Sequence, residues 1–392
     1  MAVLRFLTAG ESHGKGLVMI VEGMPAGLAI SENYIAVDLR RRQGGYGRGR
    51  RQKIEQDRAE IISGVRHGLT LGSPIALTIE NRDWVNWTEA MSVDPVEGAI
   101  EKITRLRPGH ADLAGTVKYD FDDVRPILER ASARETASRV AVGAVCKRFL
   151  EEFGMSFHSH TVQIGDAFAD LSADIDWDAV EESPVRCADS AAAERMVAAI
   201  DAARNAGDTL GGVVEGRVRN VPMGLGSHVM WDRKIDGLLA QALMSIHSVK
   251  GVEIGAGFAA TRTTGSHVHD VILPREQWAD RPWERATNNA GGTEGGITDG
   301  QDLVVRVALK PIATLPRSLP SADLRTGEEI AAHYERSDVC VVPAAGIIVE
   351  AMCAIVLATA ALEKFGGDSM GETLRNWRAF QATTGPRDLR ES

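Results

Sequence analysis

The chain has 392 residues, of which 44% are hydrophobic and 25% charged, and its formal net charge is -10. This composition is typical of a globular protein with room for one large domain or two smaller ones. The acidic balance argues against a dedicated nucleic-acid binder, which is usually basic across its whole domain. The four cysteines lie far apart without a CxxC pair, so neither a disulfide framework nor a metal site is predicted.

Alternating and β-branched runs predict strands at residues 3–8, 17–22, 59–65, 74–80, 212–221, 252–259 and 303–309. No apolar segment long enough for export precedes the first of them, so we expect a cytoplasmic protein.

Four helices are predicted between groups of these strands. Asp94 and Pro95 supply an N-cap and a first-turn proline for a helix to about residue 105. Apolar residues three and four apart predict a helix over 133–153, and a similar pattern begins at Asp232. Residues 345–365 are apolar on all sides. Proline, glycine and glutamate interrupt the stretch from 339 to 362, so it is too short for a membrane span, and we expect a helix buried inside the protein.

The order of these elements is not a regular alternation of strand and helix, so a doubly wound parallel sheet is disfavoured. We expect an α+β fold, a layered β-α-β sandwich with long central helices between antiparallel sheets. A single domain over 1–382 and a disordered tail over 383–392 are predicted. The glycine-rich segment 288–300 is either a loop near a ligand or an ordinary surface excursion.

Residues 40–53 read RRRQGGYGRGRRQK, a run of basic residues and glycines without a single acid. Glycines allow the backbone close to a ligand, and guanidinium groups match phosphate and carboxylate oxygens in pairs. A multiply charged small molecule, an RNA strand and a solvated surface run all remain open interpretations.

Two histidines lie on predicted turns that carry glycine. His13 belongs to GESHG at the end of the first strand, and His110 belongs to RPGHAD. Each could be a structural turn residue, but an imidazole can exchange a proton near neutral pH. GESHG does not match the nucleophile elbow G-x-S-x-G, because its fourth residue is histidine.

Three further segments could contribute to the same site. RASARET opens the helix predicted at 133, where Ser132 either caps the helix or helps to seat an anion. Lys310 and Thr314 flank a proline-broken loop after a strand. Asp338 precedes the most apolar helix, where it either caps that helix or acts as a base.

These motifs, together with VKGVEIG, RSDVCVVPAAG and LEKFGGDS, occur in the order and at roughly the intervals seen in chorismate synthase. The chain therefore resembles that family over essentially its whole length. The resemblance implies a 1,4-anti elimination of phosphate from 5-enolpyruvylshikimate 3-phosphate with reduced FMN and no net redox change. It also implies a homotetramer of the layered fold, and NADPH is a candidate electron source because some members reduce flavin themselves.

The resemblance assigns roles by motif. His13 is similar to the acid that protonates the departing phosphate, His110 to the residue that stabilises reduced flavin, and Asp338 to the carboxylate that assists proton removal. The implied substrate clamp is Arg42, Arg48, Arg51, Arg134 and Arg336, and the implied flavin residues are Arg130, Ala131, Ser132, His247, Ser248, Gly296, Lys310, Pro311, Ile312, Ala313, Thr314 and Arg336. Neither a metal, a nucleic acid nor a membrane is implied as a partner.

The chain departs from the family pattern at Ala131, His247, Ser248, Asp299 and Ala313. Flavin contacts made through the backbone are expected to survive these changes, whereas side-chain contacts are not assured.

Two rival functions are open on the residues alone. An RNA-binding module would explain the basic glycine run but would have no use for the histidines and Asp338. A pyridine-nucleotide oxidoreductase would explain phosphate binding, yet no predicted strand leads into a full G-x-G-x-x-G.

Overall fold

A computed structural model describes residues 4–49, 57–98, 100–172, 174–279, 281–335 and 337–387. The first sheet is antiparallel, with strand order β1-β2-β6-β3. Its inward side chains, which include Leu17, Met19 and Leu77, are fully buried. The strands are β1 (Arg5–Ala9), β2 (Gly16–Glu22), β3 (Ala59–Ser63) and β6 (Ile75–Glu80), and the short strands β4 (Val65–Arg66) and β5 (Leu69–Thr70) form a separate hairpin.

The second sheet is also antiparallel, with order β10-β13-β9-β7-β8. Its strands are β7 (Ser156–Ile164), β8 (Ala167–Phe168), β9 (Gly212–Arg219), β10 (Val249–Ile254) and β13 (Leu303–Leu309). Two further hairpins pair β11 (Thr293–Glu294) with β12 (Ile297–Thr298) and β14 (Pro320–Ala322) with β15 (Glu329–Ala331).

Two long helices form the centre of the hydrophobic core. Helix α4 (Glu135–Glu151) packs against β1 and β2, while α9 (Val342–Phe365) packs against β7 and β9, and the two helices pack on each other. A Cβ at Gly143 would lie only 2.3 Å from the Cβ of Ala351, so this glycine allows the close crossing. The other helices are α1 (Glu32–Gln43), α2 (Asp112–Tyr119), α3 (Arg125–Arg130), α5 (Trp177–Glu182), α6 (Ser190–Asn205), α7 (Ile235–Met244), α8 (Gly265–Val268) and α10 (Met370–Gln381).

Helix α9 is long and apolar enough to cross a membrane by length and composition, but 89% of its most apolar window is buried inside the protein. The core helix of a folded domain has the same properties, and the sequence interpretation of a buried helix agrees with this packing.

The mixed α+β class is confirmed, and three of the four predicted helices are present with shifted ends. The helix predicted from Asp94 to about residue 105 is wrong. Its described residues contain bends and an isolated bridge from Arg105 to Asp323, Gly98 has φ +104°, and Ile100 is 49% exposed. A glycine in the left-handed region interrupts the segment, and Ile103 packs near Leu106, Val124 and Leu128 without a helix, so the capping residues alone do not produce one.

The glycine-rich segment 288–300 contains the β11–β12 hairpin. After α10, Thr383 and Thr384 donate to turn carbonyls, and the Trp283 indole donates to the Thr384 carbonyl at 2.7 Å. The predicted disordered tail stays a prediction, because residues 388–392 lie outside the described residues.

Candidate active site

A cavity of about 380 Å³ opens where the ends of both sheets meet the N-termini of α4 and α9. The turn after β1, the loop after α1, the turn before α2, the α3–α4 junction, the turn before β10 and the segment after β13 all contribute to its wall. Because these elements are far apart in the sequence, only the folded chain assembles the cavity.

Most of the predicted site residues line this one cavity. They are His13, Arg42, Arg48, His110, Ala131, Ser132, Arg134, His247, Ser248, Lys310, Ile312, Ala313, Thr314 and Asp338. Arg51 and Arg336 lie outside the described residues.

Three predicted residues are placed elsewhere. The Arg130 guanidinium donates to the carbonyls of Thr8 and Gly10, so it fastens the turn that carries His13. Pro311 lines a neighbouring cavity of about 280 Å³. Gly296 has φ +88°, its carbonyl accepts from the Ile235 amide, and a Cβ there would lie 2.5 Å from Lys234 Cγ.

His13 is held by a buried carboxylate. Its Nδ1 lies 2.8 Å from Glu129 Oε1, and its backbone amide donates to Glu129 Oε2 at 2.7 Å. The indole of Trp87 stacks on the imidazole, with ring centroids 3.8 Å apart. Burial alone would raise the pKa of Glu129, but the hydrogen bonds and charge of His13 hold that pKa below its usual range.

His110 has a carboxylate partner of its own. Its Nδ1 lies 2.5 Å from Asp112 Oδ1, and the Arg107 guanidinium donates to both oxygens of Asp112. Against burial, which acts in the other direction, hydrogen bonds from His110 and Arg107 hold the pKa of Asp112 far below its usual range. An ionised carboxylate only accepts, so the Nδ1 of His110 carries the proton, and the 3.0 Å approach of Arg107 to that nitrogen is not a hydrogen bond.

Two arginines of the cavity share one acid. Asp57 lies 2.9 Å from the Arg134 guanidinium and 3.3 Å from that of Arg42, and all three side chains are buried. Arg42 also donates to Thr136 Oγ1 and to the Ala133 carbonyl, both at 2.9 Å. One carboxylate between two guanidinium groups leaves a net positive wall, which suits an anionic ligand.

Asp338 faces the cavity and does not cap α9. Its Oδ1 accepts from the Gly49 amide at 2.6 Å, and its Oδ2 lies 3.1 Å from Arg48. The N-cap of α9 is Val341, which makes no side-chain capping bond. The capping alternative for Asp338 is therefore wrong, and the glycine-rich loop instead fixes the carboxylate.

The flavin-side predictions line the same cavity from the turn before β10 and the segment after β13. Burial lowers the pKa of His247, whose Nδ1 is 3.9 Å from Glu135. Ser248 has φ +68°, a conformation that serine rarely adopts. Lys310 donates to the Gly109 carbonyl at 2.9 Å, and burial lowers its pKa.

The basic run does not act as a single anion site. Arg41 points away from the cavity and contacts Asp38, Glu181 and Glu350. The prediction that the whole basic run forms one ligand site is therefore wrong for Arg41, whereas the neighbouring Arg42 lines the cavity as predicted.

A family model and two similar proteins lead to the same family. The sequence model of the family described as chorismate synthase matches residues 4–362. The chorismate synthase of Symbiobacterium thermophilum is 57% identical over 388 residues, covering 96% of this chain and 98% of that protein. The chorismate synthase of Geobacter sulfurreducens is 55% identical over 388 residues, again covering 96% and 98%.

A solved structure agrees with these relatives. A crystal structure of chorismate synthase superposes with a TM-score of 0.77 at 46% identity, covering 97% of this chain and 98% of that chain. The chain belongs to the chorismate synthase family. It is a lyase of the shikimate pathway and eliminates phosphate from 5-enolpyruvylshikimate 3-phosphate to give chorismate.

The residues present fit the reduced flavin that the chorismate synthase family uses. Among the described residues, Arg48 Nε and His247 Nδ1 are buried without a hydrogen-bond partner, so the wall has polar capacity to offer. Leu309, Ile312 and Val341 supply apolar wall beside these groups, as a planar ring with polar edges requires.

Sequence reasoning missed the residues that hold the two histidines. Arg107 and Asp112 stand inside the RPGHAD motif, and their spacing around His110 could have signalled a partner. Glu129 directly precedes RASARET, but nothing local to Glu129 or Trp87 points to His13, more than seventy residues earlier.

Proposed function

We propose that the cavity is the elimination site, and that it seats the substrate phosphate and two carboxylates against its arginines with reduced FMN beside them. The observation that carries this proposal is one cavity lined by two carboxylate-held histidines and by the two arginines that share Asp57. Several cations are needed to offset a ligand with a phosphate and two carboxylates.

His13 is the proton donor to the departing phosphate. Because Glu129 occupies Nδ1, the ring acts on the cavity through Nε2. Glu129 also places a negative charge behind the ring, on the side away from the nitrogen that would deliver the proton.

Asp338 receives the proton that leaves the substrate carbon. Arg48 and the Gly49 amide orient this carboxylate, so substrate binding to Arg48 would weaken one of the contacts that hold Asp338. His110 stands on the flavin side, where Asp112 fixes the ring so that its Nε2 can hold a proton towards the reduced cofactor. Reduced flavin supplies electron density as phosphate leaves and recovers it afterwards, so no electrons are consumed.

The flavin-binding residues are Ala131 and Ser132 at the α3–α4 junction, His247 and Ser248 before β10, and the loop 310–314 after β13. Arg130 would act there indirectly, through the turn that it fastens, and Gly296 and Arg336 complete the set carried over from the family. A homotetramer of the layered β-α-β sandwich, a cytoplasmic location and NADPH as the electron source belong to the same proposal.

The direct test is anaerobic incubation with dithionite-reduced FMN and 5-enolpyruvylshikimate 3-phosphate, with inorganic phosphate measured. We expect one phosphate per chorismate and none with oxidised flavin. His13→Ala should lower turnover by about 100-fold, the usual scale for a positioned general acid, while flavin still binds. Stoichiometric NADPH oxidation per product would instead indicate a redox enzyme, and an unchanged turnover would remove His13 from its role.

A further inference from the structure

Glu129 lies directly behind His13 and holds both the backbone and the ring of that residue. Glu129 is 1% exposed and makes three separate bonds to the turn after β1. Its carbonyl accepts from the Ser12 amide at 3.1 Å, one carboxylate oxygen accepts from the His13 amide, and the other meets the imidazole.

The imidazole is fixed on its face as well as on its edge. Trp87 stacks on it, the Trp87 indole donates to Asp83 at 2.9 Å, and the Arg125 guanidinium lies 5.2 Å from the Trp87 ring. A ring held on one face and at one nitrogen has its other nitrogen fixed in direction. This is the arrangement that proton transfer at a stated atom requires.

Two carboxylates face His13 from different elements. Glu129 faces it from α3, and Glu335 faces it from the segment before α9, where His333 and the positive charges of Arg125 and His13 counteract burial and lower the pKa of Glu335 to about 2. Arg125 lies 3.1 Å from Glu129 and 3.0 Å from Glu335, so one guanidinium is shared between two acids. The ring therefore lies beside two carboxylates and one shared counter-charge.

We propose that Glu129 is a positioning residue for catalysis, which keeps the Nδ1–H of His13 directed at its own carboxylate so that the ring delivers a proton to the cavity from Nε2. The inference rests on the proposed role of His13 as proton donor. Glu129 itself touches neither substrate nor cofactor in this account.

The variant Glu129→Gln separates this role from a structural one. Its backbone carbonyl still binds Ser12, and Arg130 still fastens the turn, so the turn stays anchored. The amide oxygen must take the His13 backbone N–H, which turns the NH2 group towards Nδ1. Nδ1 then has to accept, so the ring proton moves to Nε2 and the positive ring loses its counter-charge.

We expect Glu129→Gln to lower kcat by about 10- to 100-fold, with the KM for the substrate changed by less than about twofold. Glu215→Gln is the matched control. Glu215 is also a 1% exposed glutamate beside a histidine, with Oε1 3.5 Å from His160, but it does not line the cavity, so its replacement should leave kcat unchanged.

Two further measurements decide between outcomes. In a His13→Ala background, Glu129→Gln should cost nothing more, whereas an equal loss in both backgrounds would show a structural role and overturn the inference. Nitrogen-15 spectra of labelled histidine should show the His13 proton moving from Nδ1 to Nε2, and an unchanged ring would also overturn it. If His13→Ala alone leaves turnover intact while the proton still moves, the proposed function of His13 fails and the positioning contact stands.

Discussion

Arg41 and Arg42 are consecutive residues in the last turn of α1, yet they belong to two different electrostatic environments. Arg41 lies 2.8 Å from Asp38 and 2.9 Å from Glu350, and it donates to Glu181 as well. Arg42 faces the cavity and shares its acid with Arg134.

The cluster around Arg41 and the wall of the cavity around Arg42 differ in the balance of positive and negative side chains. The buried cluster around Arg41 contains the three cations Arg41, Lys147 and Arg186 and the three acids Asp38, Glu181 and Glu350. Counted in the same way, with the acids that pair with its cations, the cavity has five described cations, Arg42, Arg48, Arg107, Arg134 and Lys310, against the four acids Asp57, Asp112, Glu335 and Asp338, and one of these acids is shared by two arginines. A balanced cluster holds helices together, whereas an unbalanced one retains capacity for an anionic ligand.

The largest expected effect comes from unbalancing the buried cluster. Glu350 is 1% exposed in the middle of α9 and accepts from Lys147 and Ser159, both at 2.6 Å. Glu350→Gln should lower the free energy of unfolding by about 3–5 kcal/mol, because it leaves buried cations without their acid. Urea unfolding measures this change, and an unchanged midpoint would show that the cluster contributes little to stability.

The next effect should fall on binding instead. Arg42→Lys keeps one positive charge but loses the planar fork, so kcat/KM for the substrate should fall by about 10- to 100-fold, equivalent to one charged hydrogen bond of about 1.5–3 kcal/mol. Arg41→Lys is the matched control on the preceding residue, and it should lower stability while leaving KM unchanged. Anaerobic steady-state kinetics with both variants would contradict the comparison if their effects were equal or reversed.

These two arginines also mark how far sequence reasoning reaches. The basic run indicated a cationic site, but Glu350 lies 309 residues from Arg41 and no local pattern connects them. Helix α1 was not predicted for a related reason. It buries Asp38 and Arg42 beside Ile35 and Leu39, so the apolar periodicity that identifies an amphipathic helix is broken by buried charges.

The elements that were predicted have unambiguous local patterns. Helix α9 is apolar on every side, and the strands of the first sheet alternate clearly. Strand β7 was missed because it has the sequence SFHSHTVQI, whose histidines resemble a loop until Glu215 and Trp177 surround them. Most of the cavity residues were found through motifs, while the acids behind the histidines were not, since each acts on a partner that the fold supplies.

Lowering the pH should reduce the stability of the protein through the cluster around Arg41 rather than through the cavity. Against burial, hydrogen bonds and charge from Arg186 and Arg41 lower the pKa of Glu181 from 4.5 to about 2, and Lys147 and Arg41 hold the pKa of Glu350 well below its usual range. A lowered pKa contributes stability above about pH 4.5 that is lost as the pH falls through the folded-state value. The free energy of unfolding should therefore decrease below about pH 4.5. The decrease should be less steep in Glu350→Gln than in the unmodified protein, whereas Arg42→Lys should follow the unmodified protein. Parallel curves for all three proteins would exclude the cluster as the source.

Salt should have the smallest effect, and on the cavity alone. Raising KCl from about 0.1 M to about 1 M shortens the Debye length from about 10 Å to about 3 Å, which screens charges that solvent reaches but affects buried pairs much less. The cavity cations meet a ligand that arrives from solvent, so the KM for the substrate should rise at least about threefold over this range. Over the same range the free energy of unfolding should change by less than about 1 kcal/mol, because Asp38, Lys147 and Glu350 of the cluster around Arg41 are buried between α1, α4 and α9, and only Glu181 is largely exposed to the salt. A KM that does not change with salt would mean that the charges of the cavity cations are neutralised by acids as fully as the charge of Arg41. The electrostatic difference between Arg41 and Arg42 would then disappear.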